Sequence, residues 1–182
     1  LGPKIPLLAA VRPNGETRIE ELEAAGGTLG VMKRLGALIH RDALTVSGRT
    51  WGTEIDVAPE AGAVIRTVDN PISRKPSVIV MRGNLAPEGS ILKVGDAGAK
   101  QSLFEGKALV FTSQEEALAA LKAGRLVRGT VAVLAGMGCR GGPGMALASG
   151  FVAAVDGAGL STMVAVITDG QLSGLNRGIA IG

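Results

Sequence analysis

The sequence predicts an α/β domain with a strand-rich, barrel-like core and flanking helices, and three observations carry that expectation. Short apolar runs rich in valine and isoleucine recur between Gly, Pro and Asn punctuation. A strand, a glycine loop, a helix and a second strand follow one another over residues 130–168. The apolar share, 46% of 182 residues, suits a packed domain and not a disordered chain. Aromatics make up only 2% and tyrosine is absent, so the core has to be built from Val, Ile, Leu and Ala. Glycine, 28 of 182, is about twice its ordinary share. Many turns must therefore bring the backbone close to something.

Taken in order, IPLLAAV (5–11) reads as a strand closed by the turn RPNG (12–15). TRIEELEAAGG (17–27) reads as a short helix stopped by Gly26 and Gly27, and LGVMKRLGALI (29–39) as a second. Short apolar runs follow at 43–46, 63–68, 77–81, 90–94 and 107–111, each a candidate strand of a barrel or curled sheet. The clearest helix is SQEEALAALKAG (113–124). Ser113 and Glu116 form a capping-box pair, Ala and Leu recur at helical spacing, and Gly124 stands where a helix stops. TVAVL (130–134) is then a strand, AGMGCRGGPG (135–144) a loop, MALASGFVAAVDGAG (145–159) a helix and TMVAVIT (162–168) an interior strand. The chain reads as one domain with neither internal repeats nor a low-complexity linker.

Charge and cysteine content narrow the function. A net charge of +3 is modest, the basic residues are scattered, and there are almost no aromatics on which bases would stack. Nucleic-acid binding is therefore not expected, and a small anionic ligand fits better. The lone Cys139 excludes an internal disulfide framework and points to a reducing, cytoplasmic setting. No apolar run reaches membrane-spanning length, so no membrane partner is expected. The chain begins at Leu1 without methionine, and the expectation is a piece of something longer.

Three glycine-centred stretches are the candidates for chemistry. RGNLAPEGS (82–90) places Asn84 and Glu88 around a proline turn after an apolar strand. GMGCRGGPGM (136–145) joins a strand to a helix, and its bare amides suit an anion at the helix start. It has neither the Gly-Lys-Ser/Thr of a Walker loop nor dinucleotide spacing, so as a phosphate motif it is weak. VITDGQLSG (166–174) delivers Asp169 and Ser173 at the carboxyl end of a buried strand, the end where open α/β sheets bind ligands. On local grounds a plain tight turn, with Asp169 and Ser173 only satisfying backbone groups, is favoured. What shifts the balance is that all three stretches follow apolar strands and can share one rim. Other candidates fail sooner. His40 reads as a helix end, Trp51 as a core or interface anchor, and Met137 and Met145 as packing residues. One Cys and one His do not make a zinc site without many carboxylates.

Together, ALTVSGRT (43–50), RGNLAPEGS, GGPGM and ITDGQLSG resemble, in order and spacing, the dihydroxy-acid dehydratase and 6-phosphogluconate dehydratase family. The resemblance runs over essentially the whole chain. It implies a swivelling β/β/α type of fold and a carboxy-terminal domain, with an amino-terminal domain that holds iron–sulfur cysteines and most magnesium ligands absent from this chain. It also implies a hydro-lyase that turns a 2,3-dihydroxy acid or sugar acid into a 2-keto acid. In such enzymes the serine of the T-D-G-x-x-S-G loop is the base that removes the proton beside the carboxylate. Ser173 matches it. A hydroxyl is a poor base at its free pKa and needs a nearby cation, which the family's metal centre would supply. Asp169 and Gly170 would shape the loop. Gly141, Gly142, Pro143 and Gly144 would line the substrate side, with Asn84 and Glu88 on the neighbouring stretch.

The sequence also departs from the family. Gln171, Leu175 and Asn176 stand where members usually have arginine, a small residue and a hydroxyl residue. Met137 stands where many members carry a magnesium-binding glutamate, and a thioether does not replace a hard oxygen ligand. Two readings follow: a branch that builds its metal site differently, or a degenerate, non-catalytic homologue kept for assembly or binding. In either case the expectation is that this chain alone binds no iron–sulfur cluster and shows no dehydratase activity. The full-length protein is expected to be a homo-oligomer acting on a small hydroxy acid.

Overall fold

A computed structural model describes residues 4–12, 15–93, 103–173 and 177–182 and divides the chain into two units, Leu1–Ser77 and Val78–Gly182. The expected positions Pro13, Asn14, Val94, Gly174, Leu175 and Asn176 lie outside the described residues.

The first unit is short helices and turns. Helix α1 (Ile19–Ala24) is opened by Glu21, whose carboxylate accepts the Arg18 amide at 2.6 Å. Helix α2 (Gly27–Leu35) stops at Gly36, where φ is +52°, and a single 3-10 turn (Gly36–Leu38) follows. The run read as one helix over 29–39 is broken there, because a left-handed residue cannot continue it. Helix α3 (Trp51–Asp56), not anticipated, starts at Thr50, whose hydroxyl accepts the Thr53 amide at 3.3 Å. Trp51 is its first residue and half-buried, while His40 is exposed after the 3-10 turn.

Leu8, Ala25, Ala61 and Ile65 form the core of this unit. Here the strands expected at 5–11, 43–46 and 63–68 do not form. Leu7, Val11 and Leu44 make isolated bridges to Ser73, Thr17 and Thr50, and residues 63–68 are turns and bends. Short apolar runs carry no period, so burial in a helical cluster looks the same in sequence as burial in a sheet.

Before α3, Ser47 and Arg49 converge on Glu54. The Ser47 hydroxyl donates to Glu54 Oε1 at 2.6 Å, and Arg49 grips both oxygens at 3.0 and 2.7 Å. The Ser47 hydrogen bond first, and then Arg49, hold the Glu54 carboxyl below the usual carboxylate range, against the opposing effect of burial. A depressed carboxyl stabilises the fold above its unfolded value, about 4.3 for glutamate, and loses that contribution as pH falls through the lower folded value. A carbon-13 NMR titration should therefore give Glu54 a midpoint below about 4.3, moving up towards it in Ser47→Ala. A midpoint at or above the ordinary value in the unsubstituted chain would refute this account.

The second unit holds one six-stranded sheet in the order β1-β2-β6-β5-β4-β3. Strands β1 (Val78–Met81) and β2 (Ser90–Lys93) form an antiparallel hairpin, and β2 pairs antiparallel with β6 (Ile179–Ile181). Strands β3 (Lys107–Phe111), β4 (Thr130–Leu134), β5 (Val164–Thr168) and β6 are parallel neighbours. Helices α4 (Gln114–Lys122) and α5 (Met145–Gly157) make the crossovers from β3 to β4 and from β4 to β5. The α/β class expected from sequence is the class observed. Among the described residues, however, the sheet is open and not closed into a barrel: β1 and β3 are its two edges. The runs at 43–46 and 63–68 that would have lengthened it belong to the first unit.

Helix α4 begins as its sequence requires. Ser113 Oγ accepts the Glu116 amide at 3.1 Å, while the Glu116 carboxylate reaches back one residue further than a capping box, to the Thr112 amide at 3.1 Å. Gly124 just past its end has φ +69°. Both helices pack on the sheet through Ala117, Ala120, Phe151 and Val155, against Phe111, Leu134 and Val164. Phe111 and Phe151 meet with ring centroids 6.4 Å apart and planes tilted by 57°. Along β4 the residues alternate: Thr130, Ala132 and Leu134 are buried, Val131 and Val133 only half so. The Thr130 hydroxyl is satisfied by the Val127 amide at 3.1 Å.

Candidate active site

Topology brings the three glycine-centred stretches to one edge of the sheet. The loop after β4 and the segment after β5 leave at the carboxyl end of the parallel strands. Strand β2 runs against β6 with Leu92 opposite Ile181, so β2 begins where β6 ends. The β1–β2 hairpin tip, residues 82–89, is therefore at that same edge. Asn84 and Glu88 are exposed on this tip, separated from β5 by β2 and β6. They share an edge with the other two stretches, at a distance of two intervening strands.

The other two stretches are joined directly. Asp169, the first residue past β5, turns its carboxylate onto three successive amides of the loop after β4. Oδ2 accepts from Gly136 N at 3.1 Å, and Oδ1 accepts from Met137 N and Gly138 N, both at 3.0 Å. Successive backbone N–H groups of this kind form a concavity that attracts anions. The anion these amides receive is the chain's own carboxylate.

Close packing surrounds this contact. A Cβ on Gly138 would stand 2.8 Å from the Asp169 carbonyl oxygen, and one on Gly170 would stand 2.6 Å from Met145 Sδ. Within the loop, Gly142 donates to Gly138 O at 3.0 Å and Gly144 to Met137 O at 2.9 Å. A Cβ on Gly142 would collide with the Gly136 and Gly138 carbonyls. Gly142 is thus required by close approach, not by its φ. Gly141 and Pro143 are exposed and Gly144 half-buried, where it opens α5.

On the other side, the buried Thr168 hydroxyl lies 2.6 Å from the Gly170 carbonyl, to which it donates, and 3.3 Å from that of Ile181 at the end of β6. The chain is thus held to both neighbouring strands immediately before Ser173, which is exposed. Sequence reasoning did not find Thr168. Its only signal is a hydroxyl at the last position of an otherwise apolar strand.

The metal ligands that the resemblance implies do not fit these residues. Met137 is 1% exposed and belongs to the apolar core with Leu134 and Phe151. Both oxygens of the Asp169 carboxylate, which lies against the Met137 amide, are already engaged by amides. Among the described residues no three His, Cys, Asp or Glu side chains come together as a metal would require. Cys139 is exposed and is the chain's single thiol. Among the described residues no helix is long and apolar enough to cross a membrane.

Comparison with known proteins adds an independent finding. The family profile described as dihydroxy-acid/6-phosphogluconate dehydratase C-terminal matches residues 63–182, and the corresponding N-terminal profile matches residues 1–54. The chain is 45% identical over 185 residues to a dihydroxy-acid dehydratase of Lachnospira eligens. It is 43% identical over 182 residues to that of Pyrococcus furiosus, and 40% identical over 182 residues to that of Aquifex aeolicus. In each case the alignment takes in 98% of this chain and 33% of the relative, so the chain spans about a third of the length of these proteins.

Proposed function

The chain belongs to the dihydroxy-acid/6-phosphogluconate dehydratase family, and on that footing we propose that it is the carboxy-terminal portion of a hydro-lyase acting on a 2,3-dihydroxy acid or sugar acid. The reaction removes one water. A base takes the proton from C2, beside the carboxylate, and the C–H electron pair becomes the C2–C3 double bond. The 3-hydroxyl leaves as water, and the resulting enol tautomerises to the 2-keto acid, with no net oxidation or reduction.

Ser173 is our candidate for the base at C2. The observation that carries this reading is its place: exposed, just past the carboxyl end of β5, on a segment held to the loop after β4 and to the end of β6. A group that must meet one particular C–H bond gains from such restraint. Gly141, Gly142 and Gly144 carry no side chains on the loop that faces Asp169, and with Pro143 they are our candidates for the substrate side of the site. Asn84 and Glu88, on the hairpin at the same edge, are our candidates for the far end of the substrate. The iron–sulfur cluster and magnesium belong, in this reading, to the part of the longer polypeptide outside this chain. So does the departure of the 3-hydroxyl. The chain alone is then inactive, and the full-length protein is a cytoplasmic homo-oligomer.

Met137 in place of a glutamate favours one rival, a degenerate homologue that keeps the fold as an assembly or binding module. A single assay separates the two. The full-length protein, reconstituted anaerobically, is incubated with 2,3-dihydroxyisovalerate and with a panel of aldonic acids, and keto acid is measured as its dinitrophenylhydrazone. Keto acid from at least one of these is expected. A preparation inert with all of them would favour the non-catalytic module.

A further inference from the structure

We propose that Asp169 is a positioning residue for Ser173, acting by clamping the segment that leaves β5 to the backbone of the loop after β4; this rests on Ser173 being the base. The contact is specific in a way that a surface turn is not. One carboxylate takes up three consecutive N–H groups, from Gly136, Met137 and Gly138, across more than thirty residues of sequence. Hydrogen bonds from N–H to an ionised carboxylate are stronger than those between neutral groups. The loop is shaped to receive it. Gly136 has φ +78°, a conformation that glycine adopts without strain, and at Gly138 there is no room for a side chain between the loop and Asp169.

The clamp acts together with two other restraints on the same stretch. The Thr168 hydroxyl holds the Gly170 carbonyl at 2.6 Å, and Gly170 lies against Met145 at the start of α5. Residues 168–170 are thereby fixed to the loop after β4, to the end of β6 and to the start of α5 just before the chain reaches Ser173. Freed from Asp169, residues 169–173 would still follow β5 but lose their setting against the loop after β4. A displacement of about an ångström at a reacting group costs on the order of a hundredfold in rate.

The test uses the full-length protein and the substrate identified by the assay above. Asp169→Ala is expected to lower kcat roughly a hundredfold with KM changed less than about threefold. Asp169→Asn, which keeps one oxygen for the Met137 and Gly138 amides, should lie between Asp169→Ala and the unsubstituted enzyme. Because Asp169 acts through Ser173, the double variant with Ser173→Ala should be no slower than Ser173→Ala alone. Hydrogen–deuterium exchange supplies a readout independent of turnover. Amides 136–138 should exchange faster in Asp169→Ala and as in the unsubstituted protein in Ser173→Ala.

Unchanged kcat in Asp169→Ala, multiplying losses in the double variant, or unchanged exchange at 136–138 would each overturn the proposal. Should Asp169→Ala fail to fold, the same three readings on Asp169→Asn decide. Full turnover in Ser173→Ala would sink the assignment of the base, while amide exchange would still decide whether Asp169 clamps the loop.

Discussion

Ser173→Ala in the full-length protein is expected to lower turnover by at least roughly a hundredfold, the lower end of what a positioned acid–base group contributes. Ser173 is exposed and belongs to neither apolar cluster, so the substitution leaves both cores as they are. KM should move far less than kcat, because the proton at C2 is transferred only in the transition state. A substrate carrying deuterium at C2 sharpens the result. The unsubstituted enzyme should turn it over more slowly if breaking that bond limits the rate, and the residual activity of Ser173→Ala should keep or enlarge the effect. Near-normal turnover in the variant would eliminate Ser173 as the base.

Met137→Glu, the change that would bring the sequence back to the family pattern, is expected to damage the protein instead of completing a metal site. The Met137 side chain is 1% exposed and packs in the cluster with Phe111, Leu134 and Phe151. Among the described residues the buried members of that cluster are all apolar. Burial of a carboxylate there should cost about 3 kcal/mol or more, the scale for an uncompensated buried charge. Thermal unfolding of the full-length protein should show a clear drop for Met137→Glu. The drop should be smaller for Met137→Gln, and Met137→Leu should cost less than about 1.5 kcal/mol. Magnesium is the discriminating addition. A ligand that binds only the folded state at a hundred times its Kd stabilises by about 2.7 kcal/mol. If millimolar magnesium raised the midpoint of Met137→Glu and left that of the unsubstituted protein alone, the side chain at 137 would have to reach a metal, and the packing argument would fail.

Where signals are local, the sequence was sufficient. Helix α4 was legible because Ser113, Glu116 and Gly124 mark both its ends within twelve residues. Strands β3, β4 and β5 were legible because a strand–helix alternation leaves few other arrangements for continuous apolar runs. The runs at 43–46 and 63–68 were misread because four to six apolar residues fit a helical cluster as well as a sheet. Strand β6, Ile179–Ile181, is too short to stand out before its pairing with β5 and β2 is known. At the site, Asp169 and Ser173 could be picked out as polar residues at a strand end. The partner of Asp169 could not. It is a set of backbone amides in another loop, and amides carry no mark in the sequence beyond the small residues that leave them bare.

The seam at residue 77 bears on how members of this family can exchange parts. By family profile, the amino-terminal stretch ends at 54 and the carboxy-terminal one begins at 63. A recombination junction between those positions looks natural. Yet Leu8 and Ala25 on one side of it share a hydrophobic cluster with Ile65 on the other. The backbone crosses as well: Arg66 donates to Leu8 O at 2.8 Å, and Leu7 to Ser73 O at 2.9 Å. A chimera spliced at 55–62 would ask two lineages to supply halves of one cluster that were never selected together. Splicing after Ser77 would hand over that cluster whole, together with the Arg66–Leu8 and Leu7–Ser73 hydrogen bonds, so inheritance in this part of the family should respect the packing boundary and not the alignment boundary.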